Sequence, residues 1–150
     1  IATGMSLARK RSGKQGKIFV LISDGECQEG TTWESLLIGA KHKLNNLCLI
    51  IDYNKIQALQ KIDDVLPLES LNKKLKSFNW NCIEVKNGHS FKSLSSAFSK
   101  VGKNRKPTAL IIHTIKGKGI KKFENDPVWH ARKLVGKDIE IGKKVLGIKS

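Results

Sequence analysis

The chain has 150 residues, 39% hydrophobic and 6% aromatic, with a formal net charge of +15 at pH 7. That is one domain's worth of sequence, apolar enough to bury a core and too apolar for a disordered chain. No apolar run approaches the ~20 residues needed to cross a bilayer, and no signal-peptide pattern is visible.

The charge excess raises nucleic-acid binding as a possible function. The basic residues argue against it. They are scattered and mostly lysine, with only four arginines, and their densest clusters are Lys73-Lys74-Lys76, Lys116-Lys118, Lys121-Lys122 and Lys143-Lys144. No stacking aromatics alternate with them. A solvated lysine-rich surface, with a few cations near phosphate, is the better reading. Cys27, Cys48 and Cys82 lack paired metal-ligand spacing. An odd number, two of them in or near apolar strands, fits reduced cytoplasmic thiols better than a disulfide framework.

The elements follow in chain order. Ala2, Met5, Leu7 and Ala8 read as helix from the first residues, so an N-terminal segment is expected to precede Ile1. A polar, glycine-containing loop over 9–16 leads to a strand at Lys17 to Ser23. Thr31 and Glu34 suit a capping box, so a helix begins there. Trp33, Leu36, Leu37, Ala40 and Leu44 form its apolar face. A second strand spans Leu47 to about Tyr53. An irregular excursion from Gln57 to Leu66 ends at Pro67. Helix is expected over Leu68 to Phe78, a short strand over Cys82 to Val85, and an amphipathic helix over Phe91 to Val101. In that last helix Leu94, Ala97, Phe98 and Val101 face inward. Pro107 introduces a strand at Thr108 to Ile115. Alternating strands and helices predict an α/β fold, a doubly wound parallel sheet. A basic, glycine-punctuated tail follows from about residue 131.

A strand, a helix and a second strand make a right-handed crossover between parallel strands. Ser23-Asp24-Gly25-Glu26 and, thirty positions on, Asp52-Tyr53-Asn54-Lys55-Ile56 then emerge at the carboxyl ends of neighbouring strands. Open α/β sheets bind ligands at that edge. An acid and an amide held there, beside a helix start, suit a magnesium ion that carries phosphates.

The stretch from Ser23 to Gln57 resembles the thiamine-diphosphate motif of transketolases, in which GDG is followed after about thirty residues by an asparagine. Further landmarks fall in order: Gln28-Glu29-Gly30, Lys43-Leu44, Gly88-His89 and Lys116-Gly117-Lys118-Gly119. The resemblance covers Ile1 to roughly Leu134. It implies a single diphosphate-binding module over 1–150, incomplete at its N-terminus, that binds thiamine diphosphate through Mg²⁺ (or Ca²⁺ or Mn²⁺). The implied metal ligands are Asp24, Asn54 and the carbonyl of Ile56. Gly25 would admit backbone amides to the diphosphate, with Ser23 standing where the family has glycine and Glu26 completing the motif. The Ile56 side chain would meet the cofactor's apolar middle, and Lys116 would supply charge to a phosphate. Glu29 matches a glutamate at the contact between paired active sites. His130, in Trp129-His130, matches a family histidine near the reacting centre, although Ala131 replaces the usual glycine after it. His42, His89 and His113 read as structural.

The resemblance further implies a cytoplasmic, oligomeric transferase that moves a two-carbon ketol unit between sugar phosphates. Nothing in the chain matches the pyrimidine-binding module, so a partner subunit carrying that module and a C-terminal domain is expected, as in split transketolases. Deoxyxylulose-phosphate synthase and the decarboxylating component of 2-oxoacid dehydrogenases share the module and remain alternatives. So does a non-catalytic paralogue that acts as an interaction module.

Overall fold

A computed structural model of the chain describes residues 1–58 and 60–148. Four strands, β1 Ile18–Ser23, β2 Leu47–Tyr53, β5 Asn81–Val85 and β6 Thr108–His113, form one parallel sheet in the order β1-β2-β6-β5. The registers Ser23↔Asp52 and Tyr53↔His113 align the carboxyl ends of β1, β2 and β6. β6 lies between β2 and β5 and is buried on both faces, which accounts for its uninterrupted Ala109–Ile112 apolar run.

Helices cover the sheet on both sides, as doubly wound sheets require. On one face α1 (Ala2–Arg11), α2 (Gly30–Lys41) and α4 (Leu71–Ser77) pack over Leu47, Leu49, Ile51, Ala109 and Ile111. On the other, α5 (Phe91–Phe98) and the residues after it place Leu94, Ala97, Phe98 and Val101 against Cys48, Leu110, Ile112 and Val85. The inward set expected for this segment is the one that packs.

Trp80 anchors the first face. It is buried, its indole Nε1 donates to the carbonyl of Leu36 at 2.9 Å, and its ring lies so close to Gly39 that a Cβ there would meet it at 2.8 Å. Trp80→Ala opens a large cavity and is expected to cost about 3–5 kcal/mol, read as a fall in thermal midpoint. Trp80→Phe should lose less, because most of the ring volume remains.

Several boundaries differ from expectation. α2 begins at Gly30 with Glu29 in the capping position and no side-chain cap. Thr31 and Glu34 form no capping box; Thr32 instead donates its hydroxyl to the Glu26 carbonyl at 2.7 Å. Leu37 points outward, 59% exposed, while Leu36 is buried. α4 starts three residues later than expected because Ser70 adopts a left-handed backbone, φ 54°, which a helix cannot include. The excursion after Ile56 contains short antiparallel strands, β3 (Ile56–Gln57) and β4 (Gln60–Lys61), and one helical turn, α3 (Ile62–Val65). Leu59 lies outside the described residues. The tail holds helix α6, Lys137–Leu146, and its last two residues also lie outside them. All three cysteines are free, and burial pushes the thiols of Cys27 and Cys48 up to about 12. No described helix is long and apolar enough to cross a membrane.

Candidate functional site

Asp24 follows directly on β1 and is fully buried, 0% exposed. Its carboxylate Oδ1 accepts from the Gly25 amide at 2.9 Å, and Oδ2 accepts from the Lys55 amide at 2.5 Å. The backbone of Asp24 also donates to the Asp52 carbonyl at 3.2 Å. The acid of the first motif is therefore bonded to the loop that carries Asn54. Burial pushes the Asp24 carboxyl above its usual range, and the Lys55 and Gly25 amides offset this only in part. A buried carboxylate in that condition favours a neighbouring cation.

Asn54 is equally constrained. Its Oδ1 accepts from the Ile56 amide at 2.9 Å and its Nδ2 donates to Asp52 Oδ2 at 3.1 Å. Asp52 Oδ1 in turn accepts from the Thr114 hydroxyl just beyond β6. Thr114 and Ile115, expected to continue the strand, instead leave it at the site.

Ser23 and Glu26 form a reciprocal pair around the 3-10 turn Gly25–Gln28. The Ser23 amide donates to Glu26 Oε2 at 2.7 Å, the Ser23 hydroxyl donates to the same oxygen at 3.1 Å, and the Glu26 amide lies 3.3 Å from Ser23 Oγ. This is the geometry of a capping box. The S-x-x-E spacing was present in the sequence, so the same rule could have found it here rather than at Thr31. The serine in the place of the family's glycine thus has a bonded role in holding the turn.

The third wall is the turn after β6. Gly117 has φ 73°, and a Cβ on it would stand 2.2 Å from the Phe123 carbonyl oxygen. Lys118 pairs with Glu124 at 3.3 Å and Lys121 pairs with the same acid at 3.5 Å, whereas Lys116 meets no carboxylate among the described residues. His89, expected to be only a turn residue, accepts from the Ile115 amide through Nε2 at 2.8 Å. It braces the start of the Lys116 turn. Gly88 is packed against β6 so closely that a Cβ would meet Ile112 at 2.5 Å and Thr114 at 2.7 Å. Together Asp52, Asn54, Gly88, His89 and Thr114–Lys118 line an open cleft of about 740 Å³ with an apolar floor that includes Leu21, Ile50 and Ile112.

A family model described as transketolase, thiamine diphosphate binding domain, matches residues 9–150. The chain belongs to that family. One of the two chains of an apulose-4-phosphate transketolase from Actinobacillus succinogenes is 36% identical over 146 residues, covering 97% of this chain and 52% of the relative. Human transketolase is 33% identical over 134 residues, covering 89% of this chain and 21% of the relative. The crystal structure of transketolase from Campylobacter jejuni superposes with a TM-score of 0.89 at 26% identity, over 97% of this chain and 24% of that one. The chain therefore spans about half the length of the Actinobacillus relative.

Within this transketolase domain the other expected residues are placed as follows. Ile56 is buried, and its amide is held by Asn54. Glu29 is exposed at the start of α2. His130 is exposed at the end of a 3-10 turn, Pro127–His130, that packs against β3 and so returns the tail to the Ile56 loop. The neighbouring Trp129 stacks on Phe123 at 4.4 Å and lies under the Arg132 guanidinium at 5.0 Å. Asp24, Asn54, Ile56, Gly25 and the Ser23–Glu26 pair are brought together, while Glu29 and His130 lie on flanking segments. His113 faces away, bonded through Nε2 to Glu84 at 2.7 Å.

The donor set suits a hard cation that arrives with its own ligands. One buried carboxylate and one amide oxygen converge on the same loop, and no cluster of three His, Cys, Asp or Glu side chains among the described residues could hold a metal unaided. Mg²⁺ bound to phosphates needs only a few protein oxygens, so these residues fit a metal–diphosphate group.

Proposed function

We propose that this chain is the thiamine-diphosphate-holding part of a transketolase-like transferase, gripping the Mg²⁺-diphosphate end of the cofactor. The supporting observation is the fully buried Asp24 carboxylate, bonded at 2.5 Å to the loop of Asn54 at the carboxyl edge of the sheet. Asp24, Asn54 and the Ile56 carbonyl would supply the protein's oxygens to the metal. Gly25 would let the diphosphate approach the turn, which the Ser23–Glu26 pair holds in shape. Lys116, free of ion pairs among the described residues, would neutralise phosphate charge.

Glu29, exposed at the head of α2, would reach the contact between paired sites, and His130 would approach the substrate side from the tail. When bound, thiamine diphosphate supplies the electron sink for cleaving and re-forming a carbon–carbon bond beside a ketone. The chain's own work is to bind, orient and neutralise charge. The excess of positive charge would also draw anionic sugar phosphates toward the cleft.

A partner chain would supply the pyrimidine-binding module, in keeping with the Actinobacillus relative being named as one subunit of its transketolase. A reducing, cytoplasmic setting suits three free thiols.

The full-length protein is expected to move a two-carbon ketol unit from a ketose phosphate to an aldose phosphate only with its partner and thiamine diphosphate present. Sugar products are measured by mass spectrometry. Product formed equally well by the partner alone would overturn the assignment.

A further inference from the structure

Asp52 is absorbed by none of the roles above, yet it ties three strand ends together. Its backbone carbonyl accepts from Asp24 on the β1 side. Its carboxylate accepts from the Thr114 hydroxyl on the β6 side and, through the other oxygen, from Asn54 Nδ2 at 3.1 Å on its own loop.

We infer that Asp52 is a positioning residue that fixes the side-chain amide of Asn54 with its oxygen presented to the metal, an inference that rests on reading Asn54 as a metal ligand. An amide's oxygen and nitrogen ends have the same shape, and only the oxygen can bind a cation. Asp52 accepts from the nitrogen end and the Ile56 amide donates to the oxygen end. Both ends are thereby assigned before any metal arrives, and the oxygen keeps one lone pair for it. Thr114 holds the Asp52 carboxylate in turn, so the orientation of Asn54 is anchored at the end of β6 rather than in its own loop alone. Such outer contacts to a metal ligand are typically worth about 10–100-fold in affinity.

The role needs an acceptor toward Asn54 and a polar contact toward Thr114, not a negative charge. An asparagine at this position can provide both, its oxygen facing Asn54 and its nitrogen donating to the Thr114 hydroxyl. Alanine provides neither.

The test uses the full-length protein with its partner subunit, thiamine diphosphate and Mn²⁺, free Mn²⁺ being counted by electron paramagnetic resonance. Asp52→Ala is expected to weaken cofactor-dependent Mn²⁺ binding about 10-fold or more, with Asp52→Asn recovering most of the loss. Wild-type binding by Asp52→Ala beside lost binding in Asp24→Ala would overturn the positioning role and leave the site standing. Equal losses in Asp52→Ala and Asp52→Asn would also overturn it, since charge and not amide orientation would then be at work. Wild-type binding by Asp24→Ala would remove the metal site itself. Should Asp52→Ala fail to fold, Thr114→Val decides: measurable weakening supports the role and unchanged binding contradicts it.

Discussion

Asp24→Ala is expected to abolish Mg²⁺-dependent retention of thiamine diphosphate while leaving the chain folded. The carboxylate is fully buried at the carboxyl edge of β1, and the Lys55 amide holds it at 2.5 Å. Removing it deletes a metal ligand and frees the loop that carries the second one. Two backbone amides, of Gly25 and Lys55, lose their acceptor, which costs about 1–3 kcal/mol for each donor left without a partner. Loss of a desolvated charge offsets part of that penalty. Stability should therefore fall modestly and binding completely, as seen by equilibrium dialysis beside thermal unfolding. A variant that keeps the cofactor with wild-type affinity would contradict the role of Asp24.

Gly117→Ala should act on the fold and the site together. With φ 73° the residue sits in the left-handed region, and the added Cβ would lie 2.2 Å from a backbone carbonyl oxygen that cannot swing away. The strain and the clash together are expected to cost about 3 kcal/mol or more, which for a domain of this size lowers the thermal midpoint by roughly 6–12 °C. The Lys116 turn must then re-form, so affinity for thiamine diphosphate should drop as well. Gly119→Ala is the contrast. Its φ of 109° also strains a side chain, but nothing lies within 4 Å of the added Cβ. It should be the milder of the two by thermal unfolding, and equal losses would contradict the clash as the cause.

The sheet was legible in the sequence because its strands are short apolar runs bounded by polar or turn residues. Lys17 to Ser23 and Leu47 to Tyr53 differ from the observed strands by one residue or none, and parallel pairing follows from the helix between them. The Asp24–Asn54 juxtaposition follows in turn from that pairing. Helix starts were less legible. The capping rule selected Thr31-x-x-Glu34, whereas the structure applies it at Ser23-x-x-Glu26, because both stretches satisfy the pattern and only tertiary context selects between them. Ser70 broke a helix through its backbone angle, which apolar spacing does not encode. The hairpin of β3 and β4 was missed because two-residue strands carry no period.

The site divides along the same line. Residues borne by a motif, such as Asp24, Gly25 and Asn54, could be named from spacing alone. Asp52, Thr114 and His89 could not, since their partners lie far along the chain: Thr114 reaches Asp52 across 62 positions and Ile115 reaches His89 across 26. Only the register of β2 with β6 brings them together. Lys116 and Lys118 look equivalent in sequence, and it is Glu124 that distinguishes them by neutralising one.

The most direct measurement is a calorimetric titration of thiamine diphosphate into the full-length protein with its partner subunit, once with Mg²⁺ and once with the metal chelated. Saturable binding in Mg²⁺ that disappears on chelation is the predicted result. Binding of equal affinity in both conditions, or none by the folded complex in Mg²⁺, would contradict the claim that this chain holds the metal–diphosphate end of the cofactor.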